Sequence, residues 1–208
     1  LYHLPMEVID MIPKILASMF LAFVIVVLDI RTEEDVMENL KVGMVAPNFA
    51  LMGNDGRKYE LSRHLGKKNV VLAFYPKDFT FICPTEIIEF SSINDEVESS
   101  NAILLGGSTD NEFCKLAWRR EHPGLKDLNH YSFADPKGAL SEELGILSEE
   151  GVSLRATLIT NPDNVIQHIS VNALDTGRNP QEDLRILKAL QAGGLTACNW
   201  SPGQELLG

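Results

Sequence analysis

The sequence has few cysteines and few basic residues for its length. Its 208 residues include three cysteines, at positions 83, 114 and 198, and 18 Lys and Arg against 29 Asp and Glu. Three widely separated cysteines are too few for a disulfide-stapled scaffold or for a zinc site with paired ligands. The formal charge of -11 argues against nucleic acid as a partner, because phosphate binding needs a basic face.

The sequence also lacks the motifs that hold most cofactors. It contains no Gly-rich phosphate loop, no haem motif and no internal repeat, and its histidines show no paired spacing typical of metal ligands. We therefore expect neither a metal ion nor a cofactor. With 45% hydrophobic residues, the chain is long enough to bury a full core as one globular domain.

One uncharged hydrophobic run is present, but it is shorter than a membrane-spanning helix. Ile15 to Leu28 comprises 14 residues, whereas a helix that crosses a bilayer needs about 20. The run could form the core of a signal peptide, although Glu7 and Asp10 precede it and no small-residue cleavage site follows. A start at Met11 would favour a signal or anchor, and a start at Met37 would remove the segment.

Hydrophobic periodicity predicts an α/β fold with a central mixed sheet flanked by helices. Apolar runs predict strands at 70–75, 102–108, 154–160 and 165–171. Helical spacing predicts helices after Cys83, at 111–121 and at 180–191. A hairpin is expected near the N-terminus of this fold, with its turn at 54–56, because Asp-Gly suits a tight turn. A βαβ half is thus followed by a ββα half.

Cys83 stands where a predicted strand runs through a short loop into a predicted helix. The unpaired N–H groups and the dipole of a helix N-terminus favour the thiolate, which is the nucleophilic form of cysteine. Pro84 suits the first helical position, because its missing donor costs nothing there. The alternative is a buried cysteine that packs as a small hydrophobe.

The residues around Cys83 form a motif. The spacing Pro76-x-x-x-Thr80-x-x-Cys83 resembles the signature of the peroxiredoxins, and residues 81–86, Phe-Ile-Cys-Pro-Thr-Glu, are similar to the typical 2-Cys, alkyl hydroperoxide reductase C branch of that family. The resemblance extends over about residues 40–203. It implies a thioredoxin-like fold and a thiol-dependent peroxidase that reduces hydrogen peroxide and organic hydroperoxides through a sulfenic acid on Cys83.

The same resemblance assigns catalytic roles to further residues. Thr80 would orient the peroxide, Pro76 would shield the thiolate from water, and Arg155 would favour the thiolate and polarise the leaving oxygen. The alternative for Arg155 is a surface ion pair on an edge strand. Glu86 is expected to support the site by holding an arginine in place, or else only to complement the helix dipole. Arg119 and Arg120 are candidates for a second arginine, although a solvated helix face suits them as well.

Cys198 resembles the resolving cysteine of the family, which comes from the partner subunit and forms a disulfide with Cys83. The resemblance thus implies a homodimer, and the family also forms rings of dimers, such as decamers. A separate dithiol protein, thioredoxin-like or a dedicated alkyl hydroperoxide reductase partner, would reduce the disulfide. Cys114 is expected to be structural. A working thiol suits the cytoplasm, although a signal at residues 11–28 would direct the protein to a membrane or out of the cell.

Three segments follow from these arguments. Residues 1–36 form a hydrophobic extension, residues 37–194 the thioredoxin-fold domain, and residues 195–208 a tail that carries Cys198.

Readily inactivated members of the family carry a Gly-Gly-Leu-Gly insertion and a C-terminal Tyr-Phe, and neither occurs here, so we expect resistance to overoxidation. The alternative function is a peroxide-responsive chaperone or signalling module that acts through oligomer assembly.

Overall fold

The computed structural model describes residues 40–208, and the predicted extension at residues 1–36 lies outside them. The seven strands of the described chain are β1 (Ala50–Met52), β2 (Lys58–Glu60), β3 (Asn69–Phe74), β4 (Ala102–Ser108), β5 (Tyr131–Ala134), β6 (Arg155–Thr160) and β7 (Ile166–Asn172). Its four α-helices are α1 (Cys83–Ser99), α2 (Glu112–Glu121), α3 (Ala139–Glu143) and α4 (Pro180–Gln191). Two short 3-10 helices cover Leu61–His64 and Pro123–Leu125.

Five strands form a mixed sheet in the order β5-β4-β3-β6-β7, and β1 and β2 form a separate antiparallel hairpin. Strands β3, β4 and β5 are parallel, whereas β6 is antiparallel to both β3 and β7. The connection from β3 through α1 to β4 is therefore the predicted parallel βαβ unit. The predicted mixed sheet, flanking helices and N-terminal hairpin are confirmed.

The central strand β3 divides the core into two layers. Its six residues are all buried, as its nearly continuous apolar sequence predicts. Because successive side chains of a strand point to opposite faces, Leu72 and Phe74 pack towards the hairpin and α3, whereas Val71 and Ala73 pack against α1 and α4. The C-terminal end of β3 then delivers the chain to the loop that precedes Cys83.

The structure also contains elements that the sequence pattern did not predict. Strand β5 and helix α3 have four and five residues, too short for a clear periodicity.

Strand β6, which begins at Arg155, lies between β3 and β7. The alternative placement of Arg155 on an edge strand is therefore wrong.

Among residues 40–208, no helix combines the length and the apolar character that are needed to cross a bilayer.

Candidate active site

Cys83 is the first residue of α1, as predicted, and Pro84 follows in the second helical position rather than the first. The side chain is 1% exposed and lies in a small apolar cluster with Tyr75, Trp118 and Leu125. Strand β3 ends nine residues earlier, at Phe74. The fold therefore presents a buried thiol to the positive end of a helix.

Arg155 contacts the sulfur directly. Its Nη1 lies 3.5 Å from Cys83 Sγ and donates a 2.7 Å hydrogen bond to Glu86 Oε2, and its Nε donates to the Leu174 carbonyl at 2.8 Å. Arg155 is 3% exposed, so little water screens its charge. An arginine fixed in this way supplies a positive charge to a thiolate, or to an oxygen that departs from it.

Glu86 joins Arg155 to a second arginine. Arg178 donates from Nε to Glu86 Oε1 at 2.9 Å and from Nη2 to Glu86 Oε2 at 3.2 Å, and its backbone N–H also binds Oε1, at 2.8 Å. Burial alone would raise the pKa of the Glu86 carboxyl, but Arg178 and Arg155 outweigh it and hold that pKa below its ordinary value. The expected pairing of Glu86 with an arginine is therefore present, with two arginines rather than one.

The second arginine is not among the predicted candidates. Arg119 donates to the His130 carbonyl at 3.2 Å, and Arg120 is exposed. Arg178 lies in a polar segment between β7 and α4, and it is 92 residues from Glu86 in the sequence. No local pattern marks it, because its role depends on a contact between distant segments.

The loop between β3 and α1 carries the other predicted residues. Pro76 is buried two residues after the end of β3, and the Thr80 hydroxyl donates to the Lys77 carbonyl at 2.9 Å. The oxygen of Thr80 keeps lone pairs with which to accept a hydrogen bond from a substrate. Between them, Phe79 adopts a left-handed conformation, with φ of 56°.

The structure does not bring Cys198 to Cys83. Cys198 lies in the exposed tail after α4, where it lines a surface cavity with Arg185 and Leu190. Cys83, Cys114 and Cys198 are all free thiols. Burial and the nearby carboxylates of Asp78 and Asp110 raise the pKa of the Cys114 thiol to about 11.

Comparison with known proteins identifies the family. Residues 42–169 match the model of the AhpC/TSA family. The chain is 49% identical over 144 residues to alkyl hydroperoxide reductase C of Mycobacterium tuberculosis, and the aligned region covers 69% of this chain and 73% of that protein. It is 41% identical over 175 residues to the chloroplastic 2-Cys peroxiredoxin BAS1 of Spinacia oleracea, and here the aligned region covers 79% of this chain and 66% of that protein.

A solved structure supports the same assignment. The reduced 2-Cys peroxiredoxin of Plasmodium vivax matches with a TM-score of 0.75 and 35% sequence identity, over 79% of this chain and 91% of that chain. The thioredoxin-like fold predicted from the motif around Cys83 is thereby confirmed. The chain belongs to the AhpC/TSA family, within its 2-Cys peroxiredoxins.

Proposed function

We propose that Cys83 is the nucleophile with which this thiol-dependent peroxidase reduces hydrogen peroxide and organic hydroperoxides. The contact that carries the proposal joins Arg155 Nη1 to the Cys83 sulfur at 3.5 Å, at the N-terminus of a helix. A cysteine with only a packing role does not require a guanidinium beside its sulfur, and burying a guanidinium is costly because its charge loses its hydration. The names of the relatives also favour peroxide reduction over the chaperone alternative.

The proposed reaction begins with attack of the thiolate on one peroxide oxygen. The S–O bond forms as the O–O bond breaks, so that the sulfur is oxidised to a sulfenic acid and the peroxide is reduced. The departing hydroxide or alkoxide takes up one proton, which balances the proton that the thiol released when it became a thiolate, and leaves as water or an alcohol. Arg155 stabilises the negative charge that develops on this oxygen. The hydroxyl oxygen of Thr80 accepts a hydrogen bond from the O–H of the peroxide and so orients it. Pro76 excludes water from the thiolate.

The sulfenic acid then condenses with a second thiol, and water is released. We assign this step to Cys198 of the partner subunit, because Cys198 resembles the resolving cysteine that the partner subunit supplies in 2-Cys peroxiredoxins, and it is an exposed free thiol. A homodimer is therefore part of the proposal, with a ring of dimers as its larger assembly.

A separate dithiol protein, thioredoxin-like or a dedicated alkyl hydroperoxide reductase partner, completes the cycle by reducing the disulfide. The cytoplasm is the proposed location, because a catalytic thiol has to be returned to its reduced form in each cycle.

The test is peptide mass mapping under non-reducing conditions after one equivalent of hydrogen peroxide, with rapid blocking of free thiols. We expect a disulfide between Cys83 and Cys198 in a covalent dimer. Cys83→Ser should abolish peroxide consumption, and Cys114→Ser serves as the matched control that retains it. Peroxide turnover by Cys83→Ser would overturn the nucleophile, and a sulfenic Cys83 with Cys198 still free would overturn the resolving step.

A further inference from the structure

A buried lysine lies against the loop that precedes Cys83. Lys115, on α2, is 1% exposed. Its Nζ donates hydrogen bonds to the Tyr75 hydroxyl at 2.9 Å, to Asp78 Oδ1 at 3.3 Å and to the Ser108 hydroxyl. All three hydrogens of the ammonium group are thus used. Because a lysine is almost never buried to this extent unless its charge is matched, Lys115 requires Asp78.

Asp78 lies within the loop between β3 and α1, and it is held through both its side chain and its backbone. Besides the contact with Lys115, its Oδ1 accepts a 2.7 Å hydrogen bond from the Tyr75 hydroxyl. The backbone N–H of Asp78 donates to Asp110 Oδ2 at 2.6 Å. The loop is therefore fastened to the ends of β3 and β4 and to α2, which meet at one edge of the sheet.

The residues after Asp78 depend on this attachment. Phe79 has a left-handed backbone, which a residue other than glycine adopts only where its surroundings hold it. Its ring packs against Trp118 of α2, with the ring centroids 5.8 Å apart. Thr80 follows at once, and Cys83 three residues later. A displacement of Asp78 would thus be passed on to the residues that we assign to peroxide reduction.

The carboxylates in this cluster are matched by the lysine rather than by a metal ion. Asp78, Asp110 and Cys114 present ligand atoms within 4.8 Å of one another, a spacing that a cation could bridge. However, the Lys115 ammonium already donates to Asp78 at 3.3 Å and would repel a second cation. Burial lowers the pKa of Lys115 and raises that of Asp78, and the opposite charge of the partner counteracts each of these shifts.

We propose that Lys115 is a positioning residue that acts through Asp78 to hold residues 76–82 in the arrangement in which Cys83 contacts Arg155. The inference rests on the proposed function of Cys83. With 1% of its surface exposed, Cys83 cannot form a disulfide until this loop and the first turn of α1 move. Lys115 therefore favours the reaction with peroxide and opposes the resolving step that follows.

The test compares Lys115→Met with the double variant Lys115→Met/Asp78→Asn, in which no unpaired carboxylate remains buried. The exposed Lys126→Met is the matched control. Hydrogen exchange of residues 77–85 in the reduced protein should become about tenfold faster or more in both Lys115 variants, because charge-assisted hydrogen bonds to the loop are lost. Stopped-flow kinetics should show slower oxidation of Cys83 by hydrogen peroxide and faster formation of the disulfide.

The opposite changes in the two rate constants distinguish positioning from a purely structural role. If the double variant regains the wild-type melting temperature but keeps the changed rate constants, the inference is supported. It is overturned if exchange and both rate constants equal those of Lys126→Met, or if both rate constants fall together with the melting temperature. A wild-type protein whose Cys83 does not react with peroxide would instead refute the proposed function, and the exchange result would still test the role of the lysine in the loop.

Discussion

The guanidinium of Arg155 makes three different contacts, with a thiol, a carboxylate and a carbonyl, and a lysine could not replace it. We predict that Arg155→Lys lowers the rate constant for the reaction with hydrogen peroxide about 10²-fold, the usual cost of losing one charge-stabilising donor. Stopped-flow measurement at pH 7 checks this, with the exposed Arg120→Lys as the control. A rate constant within about twofold of the wild type would remove Arg155 from the mechanism.

The thiol of Cys114 is a poor nucleophile because burial and two nearby carboxylates raise its pKa to about 11. At pH 8 only about one molecule in a thousand carries the Cys114 thiolate, which is the reactive form. Brief treatment with iodoacetamide at this pH should therefore modify the exposed Cys198 and leave Cys114 free. Peptide mass spectrometry measures both, and modification of Cys114 before Cys198 would contradict the prediction.

Helix α1 and the segment between β7 and α4 are braced by the contacts of Glu86 with Arg155 and Arg178. Glu86→Gln should lower the free energy of unfolding at pH 7 by about 3–5 kcal/mol, because two buried guanidinium groups lose their counter-charge. Urea unfolding measures the change, and Glu89→Gln, exposed on the same helix, serves as the control.

The same brace has a characteristic dependence on pH. Because the pKa of Glu86 is lowered in the fold, its stabilisation is complete above the ordinary value of 4.5 and is lost as the pH falls through the lower folded value. The difference between wild type and Glu86→Gln should thus narrow below pH 5. A difference that stays constant down to pH 3 would show that the charge of Glu86 is not what braces the helix.

The elements around Cys83 follow from local signals, whereas their long-range supports do not. An apolar run ending in a loop, followed by helical spacing, was sufficient to locate β3, Cys83 and the start of α1. Arg155 was found only through the family resemblance. Arg178 and Lys115 were missed because an arginine in a polar segment, or a lysine in a short helix, looks solvated until the fold brings a carboxylate beside it. Lys115 is 37 residues from Asp78, which matches its charge.

Asp183 should make a contribution to the free energy of unfolding that falls as the pH rises from about 4 to about 6. Burial, with smaller contributions from Glu182 and Glu86, raises the pKa of Asp183 from 3.8 to about 6, although Thr157 and Arg178 oppose the shift. The fold therefore favours the protonated carboxyl. Above pH 6 the ionised group costs up to about 3 kcal/mol, at 1.36 kcal/mol for each pH unit between the two values.

Asp183→Asn should remove this cost. We expect the variant to be more stable than the wild type at pH 7.5 and equal to it near pH 4, as measured by urea unfolding at both values. The exposed Asp163→Asn, measured at the same two pH values, is the matched control. If Asp183→Asn is destabilised at pH 7.5, then the ionised carboxylate is bound favourably in the fold, and the sign of the prediction is wrong.

The hydrogen bonds of Arg155 and Arg178 to Glu86 also limit how far the Cys83 sulfur can move. Cys83 precedes Glu86 by three residues, which span about 4.5 Å along a helix axis and at most about 11 Å when fully extended. If the two arginines remain bound to Glu86 while the first turn opens, these three residues act as a tether with a fixed maximum length. Glu86 then sets the radius within which a second thiol has to arrive, and a cysteine docked outside that radius stays unlinked however reactive it is.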